Sequence, residues 1–292
     1  MKTILLPDEY VNRVIETALK EDLGRGDVTS NTLIPCDLQG KASILIKEDG
    51  IIAGIEIAKR VFLLTDQSLE IKIQISDGTS VKVGDIAMII AGNVRSILQA
   101  ERVALNFLQR MSGIASTTAK YVTEVHGFGV EIADTRKTTP GLRLIEKYAV
   151  RMGGGRNHRL DLSDAILIKD NHIAALRTLG MSFKEIVIKA KQDAPAEIKV
   201  EVEATTIQEV QEALEAQADI IMLDNMSTRD MARGVELIAG RAEVEASGGI
   251  NLKNVRAVAE TGVDFISVGA LTHSNKALDI SLELDPQTFM LI

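Results

Sequence analysis

The chain has 292 residues and a formal net charge of −8, with 46% hydrophobic and 25% charged residues, the composition of a globular protein able to bury a sizeable core in one or two domains. Aromatics make up 3% with no Trp, which together with the acidic balance argues against nucleic acid as a partner. Cys36 is the single cysteine, so an intrachain disulfide and a Cys-based zinc or iron–sulfur centre are excluded. No uncharged apolar run approaches bilayer-spanning length, and the start MKTILLPDEY meets Pro7, Asp8 and Glu9 too soon for a signal-peptide core. A soluble, cytoplasmic protein without a membrane partner is expected.

In chain order, the spacing of Tyr10, Val11, Val14, Ile15, Ala18 and Leu19 predicts a helix over Asp8–Leu23, ended by Gly24 and Gly26. Strand-like runs follow at Lys41–Lys47, Leu69–Ile75 and Asp85–Ala91. The hairpin-type turns Glu48-Asp49-Gly50 and Asp77-Gly78 lie between them. A long helix is predicted from Ser96 to Tyr121. From about residue 128 the rhythm changes to short apolar runs that end in polar residues: Val130–Asp134, Ala165–Asp170, Ile198–Ala204, Asp219–Asn225, Ala242–Ser247 and Asp264–Gly269. Helical stretches fall between them at Thr206–Ala216, Ser227–Ala239 and Leu252–Glu260, the last with Asn251 as N-cap and Gly262 as stop. Repeated βα units imply parallel strands with right-handed crossovers, and about six units argue for a TIM-like barrel, complete or incomplete, over an open sheet. No Gly-x-Gly-x-x-Gly follows the first strand, which weakens a dinucleotide-binding reading.

The loops after the strands form the active face of such a barrel. Those positions here are Asp134, Thr135, Arg136 and Lys137, then Lys169 and Asp170, Glu203, Asp224 and Asn225, Ser247 to Gly249, and Ser267 and Gly269. The stretch Asp134–His172 carries eight Lys or Arg against five acids, a local +3 in a chain whose remainder carries −11, which suggests a place where anions are held. Thr135-Arg136-Lys137 reads either as a cation pair for carboxylate or phosphate or as a solvated strand end. Gly153-Gly154-Gly155-Arg156-Asn157-His158-Arg159 joins a flexible turn to three donors. Lys169, at the end of Ala165-Ile166-Leu167-Ile168, is an anion holder or a Schiff-base nucleophile. Glu201 and Glu203 share one face of a strand, and Asp224 ends the next strand. Glu203 and Asp224 are candidates for Mg²⁺ or sugar hydroxyls, while Glu201 reads better as an ion-pair partner of a nearby Lys or Arg. Ser247-Gly248-Gly249 and Gly269-Ala270 suit a phosphate cradle. His126 and His273 read as structural or surface residues, and Asp164 and His172 as members of local hydrogen bonding.

Taken together and in order, EDLGRGDVTS, ERVALNFLQRMSGIAS, ADTRKTTPGLRLIEKYAVRMGGGRNHR, LIKDNHI, MLDNM, EASGGI and ISVGALTH resemble the quinolinate phosphoribosyltransferase family over essentially the whole chain. The resemblance implies an N-terminal α/β sandwich over 1–115, rejoined by 275–292, and an incomplete α/β barrel over 116–274. It implies transfer from 5-phosphoribosyl-1-pyrophosphate to quinolinate with decarboxylation, giving nicotinate mononucleotide, pyrophosphate and CO₂. It further implies Mg²⁺ and a homodimer with shared sites, in some members a hexamer. Arg102 of the neighbouring subunit, with Thr135, Arg136, His158, Arg159 and Lys169, is then expected at the quinolinate carboxylates. Lys137 is expected toward the pyrophosphate, and Glu203 and Asp224 at the ribose hydroxyls, directly or through Mg²⁺. Ser247, Gly248, Gly249, Gly269 and Ala270 are expected at the 5′-phosphate. Arg143, Lys147 and Arg151 then revert to helix-surface or interface charges. Rival readings are a phosphoribosyltransferase with another acceptor, a Schiff-base aldolase using Lys169, and a non-catalytic anion-binding protein.

Overall fold

The computed structural model describes residues 6–291. The chain runs α1 (Asp8–Leu23), α2 (Val28–Leu33), β1 (Leu38–Ile46), β2 (Gly50–Ile51), α3 (Ile55–Thr65), β3 (Glu70–Ile73), β4 (Ser80–Val81), β5 (Ile86–Asn93) and α4 (Val94–Glu124). There follow β6 (Glu131–Ala133), α5 (Arg143–Met152), β7 (Ile166–Ile168), α6 (Asp170–Arg177), α7 (Phe183–Asp193), β8 (Val200–Ala204) and α8 (Ile207–Glu215). The last elements are β9 (Ile220–Asp224), α9 (Thr228–Ile238), β10 (Glu243–Ser247), α10 (Val255–Ala259), β11 (Phe265–Ser267), α11 (Ala270–His273) and β12 (Ile280–Leu291). These elements gather into two compact units. One holds residues up to Ala119, Thr138–Gly154 and the chain from Ser274, and the other holds Lys120–Lys137 and Gly155–His273.

The first unit is built on an antiparallel sheet of order β12-β1-β5-β3. Ala42, Ile44 and Ile46 alternate into its core from β1, against Met88 and Ile90 of β5. Full burial of such side chains contributes roughly 1.5–3 kcal/mol each. The helix α1 buries Val11, Ile15 and Leu19 at four-residue spacing and stops at Gly24, whose φ is +51°. The predicted strands are present, but they do not form successive hairpins. The sequence between β1 and β3 contains β2 and α3, and β1 pairs instead with β5 and with the chain's last strand. Asp77, read as a hairpin turn residue, accepts the Ile55 N–H at the start of α3 (2.9 Å) and the Tyr148 hydroxyl (2.8 Å).

Thr138–Gly154 groups with the first unit, where the sequence division put it in the barrel. The reason is visible in its contacts. Arg110 on α4 donates through Nε to the fully buried Glu146 (2.9 Å) and through Nη2 to Thr139. Tyr10 donates to the Gly141 carbonyl, and Gly153 packs so closely on α4 that an added Cβ would lie 2.3 Å from the Ala115 carbonyl oxygen. Lys147 is fully buried, so it is not the surface charge expected of it; Arg143 and Arg151 are half-buried.

The second unit holds a parallel sheet of order β6-β11-β10-β9-β8-β7, one strand for each apolar run of the sequence. Asp219 and Asp264, just before β9 and β11, each accept an N–H at the start of a neighbouring strand, from Val200 and Val244, both at 2.7 Å. Ser182, Thr206 and Ser227 cap the helices α7, α8 and α9 with their side-chain oxygens. The last predicted helix is shorter than expected. Asn254, not Asn251, is its N-cap, because Asn251 is engaged in a turn with Lys253 and Asn254. The edge strands β6 and β7 do not pair. A single parallel bridge joins Ala133 to Arg156, and the Arg159 guanidinium reaches the Ala165 carbonyl just before β7 (3.0 Å). The segment Gly155–Arg159 thus spans the gap of an incomplete barrel.

Replacing Glu146 by Ala would leave the Arg110 guanidinium without its buried counter-ion. Urea unfolding of Glu146→Ala is expected to show a loss of about 3 kcal/mol, as for other broken buried pairs; a loss within about 0.5 kcal/mol, typical of surface sites, would contradict this account.

Candidate active site

The strand ends of the second unit surround a cavity of about 570 Å³. The cations Arg136, Lys137, Arg159 and Lys169, the acids Glu203 and Asp224, and Ser247, Gly248 and Gly249 line it. Thr135, His158, Glu245 and Ser267 complete the lining used below. The sequence-predicted residues of the barrel therefore converge, with two qualifications. Gly269 and Ala270 do not line this cavity, although Gly269 sits where an added Cβ would approach the Lys137 side chain to 3.1 Å. Arg102 lies exposed on α4 in the first unit.

Each side chain has a local cause. Lys169 and Glu203 end adjacent parallel strands, so the ammonium meets the carboxylate at 3.3 Å. The Lys169 N–H is accepted by His172 Nδ1 at 3.0 Å, which caps α6 and confirms the local role read for that histidine; Asp164 likewise accepts the Leu160 N–H. Gly248 has φ +94°, and a Cβ there would fall 2.3 Å from the Asn225 side-chain oxygen, so only glycine suits this turn. Burial, followed by the nearby charge of Arg136, lowers the Arg159 pKa. Two guanidiniums held near one another favour an anion between them.

Beneath the cationic wall lie three acids that sequence reasoning underrated. Asp134, read only as a strand end, is fully buried and accepts the Asn157 amide (2.6 Å) and the His158 N–H (2.9 Å). Glu201, assigned to a Lys or Arg, instead lies 3.3 Å from His158 Nε2. Glu245, not singled out at all, accepts from the same nitrogen at 3.0 Å. Its signal was available: it stands two residues before Ser247 on one strand and so shares that residue's face. Burial lowers the proton affinity of His158, and the contacts with Glu201 and Glu245 outweigh it and raise the pKa. A second proton would have to sit on Nδ1, where the Arg159 N–H already points from 2.8 Å. That directional contact leaves Nε2 to carry the ring proton that meets the two acids. Burial, then the Glu201 charge, pushes the Glu245 carboxyl up to about 8.

A larger opening, about 1160 Å³, lies at the opposite ends of the strands. Its cations are spoken for. Arg156 pairs with Glu131 and Glu243, Lys191 with Asp219, Lys199 with Glu243, and Arg241 donates to carbonyls at the end of α9. Paired charges at this end of a barrel serve stability, whereas chemistry sits at the C-terminal face.

A closed set of cations facing carboxylates at that face defines an α/β-barrel enzyme site for a small polyanion. Residues 27–112 match the family description "Quinolinate phosphoribosyl transferase, N-terminal domain" and residues 114–283 the C-terminal domain of the same family. The chain is 45% identical over 297 residues to a quinolinate phosphoribosyltransferase [decarboxylating] of Nicotiana glauca, covering 96% of this chain and 84% of the relative. It is 42% identical over 285 residues to a probable nicotinate-nucleotide pyrophosphorylase [carboxylating] of Synechocystis, covering 97% and 95%. Among solved structures, NadC from Streptococcus pyogenes superposes with a TM-score of 0.91 at 43% identity over the whole of both chains. The chain belongs to the quinolinate phosphoribosyltransferase family.

The raised Glu245 pKa has a stability consequence with a definite sign. A carboxyl at about 8 when folded and 4.5 when unfolded binds its proton more tightly in the native state. Its contribution is complete below pH 4.5 and is lost as pH rises through 8. Glu245→Gln cannot ionise, so its unfolding free energy measured in urea from pH 5 to 8 should fall less steeply than that of the unsubstituted protein. Equal slopes would refute the buried-acid assignment.

Proposed function

We propose that the protein transfers the phosphoribosyl group of 5-phosphoribosyl-1-pyrophosphate to the ring nitrogen of quinolinate and releases CO₂. The observation that carries this reading is the convergence of Arg136, Lys137, Arg159 and Lys169 with Glu203 and Asp224 in one cavity. Arg136, Arg159 and Lys169, with Thr135, take the two carboxylates; the planar guanidinium forks suit that group. Lys137 faces the pyrophosphate. Ser247, Gly248 and Gly249, with Gly269 and Ala270 behind Lys137, take the 5′-phosphate through backbone N–H groups. Glu203 and Asp224 hold the ribose hydroxyls.

The bond from ribose C1 to the pyrophosphate oxygen breaks with its electron pair leaving on pyrophosphate, and the pyridine nitrogen closes on C1. Positive charge on the ribosyl carbon develops beside Glu203 and Asp224, which stabilise it electrostatically. The new pyridinium then draws the electron pair of the ring–carboxylate bond as CO₂ departs, and a solvent proton fills the ring carbon. Positioning supplies the rest, and no side chain is required as an obligatory general acid.

Mg²⁺ is the proposed cofactor. Glu203 and Asp224 offer hard carboxylate oxygens in the cavity; Glu203 meets Lys169 and the Asp170 N–H, and Asp224 the Asn225 amide, which suits a cation held with the substrate's phosphates. When bound it would neutralise the leaving pyrophosphate. We also propose a homodimer, or a larger assembly of dimers, in which Arg102 of one copy completes the quinolinate site of the other. Its exposure on α4, together with exposed Val28 and Leu33 in the same unit, supports that reading. Among the described residues no helix is long and apolar enough to cross a membrane. The cytoplasm is the proposed compartment. The Schiff-base alternative is disfavoured, because Lys169 is half-exposed and paired with Glu203 rather than desolvated.

Incubation with Mg²⁺, 5-phosphoribosyl-1-pyrophosphate and quinolinate should yield nicotinate mononucleotide and CO₂; no turnover would refute the reading, and turnover of nicotinate alone would assign a different acceptor. Glu203→Gln should lower kcat by about a hundredfold, as for loss of one transition-state electrostatic contact, with little change in quinolinate KM. Arg102→Ala and Arg159→Ala should each be inactive, and mixing them under subunit exchange should restore part of the activity. Absence of rescue despite exchange would refute the shared site.

A further inference from the structure

The segment Arg156–Arg159 is suspended from buried acids on three strands. Asp134, at the end of β6, holds the Asn157 side chain and the His158 N–H. Glu245 on β10 accepts from His158 Nε2, and Glu201 on β8 stands 3.3 Å from the same atom. The other ring nitrogen accepts the Arg159 N–H at 2.8 Å. The ring is further confined by Phe265, which also carries the Arg156 guanidinium 4.1 Å from its centroid. Every polar atom of the imidazole is therefore committed inside the protein. His158 has neither a spare N–H for a substrate carboxylate nor a lone pair on Nε2 for a metal, although His158, Glu201 and Glu245 lie close enough together to suggest one.

We infer that Glu201 and Glu245 are positioning residues for the dicarboxylate clamp: by orienting His158 they fix the Arg159 backbone, and with it the guanidinium that meets the substrate, while His158 itself does not touch the substrate. This departs from the role that the family resemblance implied for His158, and it rests on the proposed quinolinate reading. The geometry has one further support. Among the described residues the Arg159 guanidinium has one acceptor, the Ala165 carbonyl, so the orientation of its head depends on how its backbone is held. Glu245 carries one oxygen, and Glu201 two, with no hydrogen-bond partner among the described residues; these acids are kept inside at a cost that packing alone does not explain.

The test is a double-mutant cycle on quinolinate KM. Glu245→Leu, which removes the acceptor of Nε2–H, should raise quinolinate KM about tenfold, the scale of one lost buried hydrogen bond, and leave the KM for 5-phosphoribosyl-1-pyrophosphate within about threefold. Glu245→Gln, which keeps an acceptor oxygen, should recover most of that loss. His158→Ala should raise quinolinate KM similarly, and the double variant His158→Ala/Glu245→Leu should be no worse than His158→Ala alone, because both act along one path. Additive effects, equal rises in both KM values, or a Gln variant as impaired as the Leu variant would each overturn the inference. Should Glu245→Leu fail to fold, nitrogen NMR of the unsubstituted protein decides: a neutral ring protonated on Nε2 at pH 7 upholds the proposal and an imidazolium refutes it. Failure of quinolinate turnover in the unsubstituted enzyme would instead strike the parent reading.

Discussion

Everything at the barrel's active face depends on a constraint inside it. Asp134, Glu201 and Glu245 are carboxylates with almost no exposure. Such groups are tolerated only when donors are brought to them. The donors come from one short irregular stretch, Asn157 to Arg159, which also spans the gap between the unpaired edges β6 and β7. One segment therefore brings donors to Asp134 and Glu245, spans the gap in the barrel and carries the Arg159 guanidinium. A change to any of the three acids is felt at the mouth without touching a substrate atom.

The strands show how one period of two serves two ends of the barrel. On β10 the same face carries Glu243, Glu245 and Ser247 in succession. The first is tied to Arg156 and Lys199 at the lower opening, the second to His158 in the middle, and the third lies at the rim of the cavity. On β8, Glu201 and Glu203 divide in the same way between the buried ring and Lys169. Chemistry at the top and ionic cross-bracing at the bottom are thus read from the same strands, one layer apart, as expected where a parallel barrel separates function from stability.

The six strands of the parallel sheet and most of its mouth residues were legible in the sequence because both follow from local pattern: an apolar run, then a charge. Three features were not. The antiparallel sheet is closed by β12, whose partner β1 is some 240 residues away, as in the pairing of Ala42 with Leu284, and no local signal encodes that pairing. The return of Thr138–Gly154 to the first unit rests on contacts such as Arg110 with Glu146, in which the deciding charge is buried and no local pattern marks it as such. Glu201 was misjudged because a carboxylate in a strand reads as an ion-pair partner of the commoner cations, and Glu245 was passed over. Only the folded register reveals that the available donor is a histidine.

That register also bears on selectivity under the proposed reading. Arg136 and Arg159 are close enough for the charge of one to depress the pKa of the other, and Arg159 is fixed from below. Two forks held near each other reward an acceptor that carries two carboxylates. A monocarboxylate would engage only one of the two forks and leave their mutual repulsion less relieved. Lysines in the same places would swing apart and relieve the repulsion. The discrimination therefore resides in the rigidity of the Arg159 backbone, and this is what the buried acids secure.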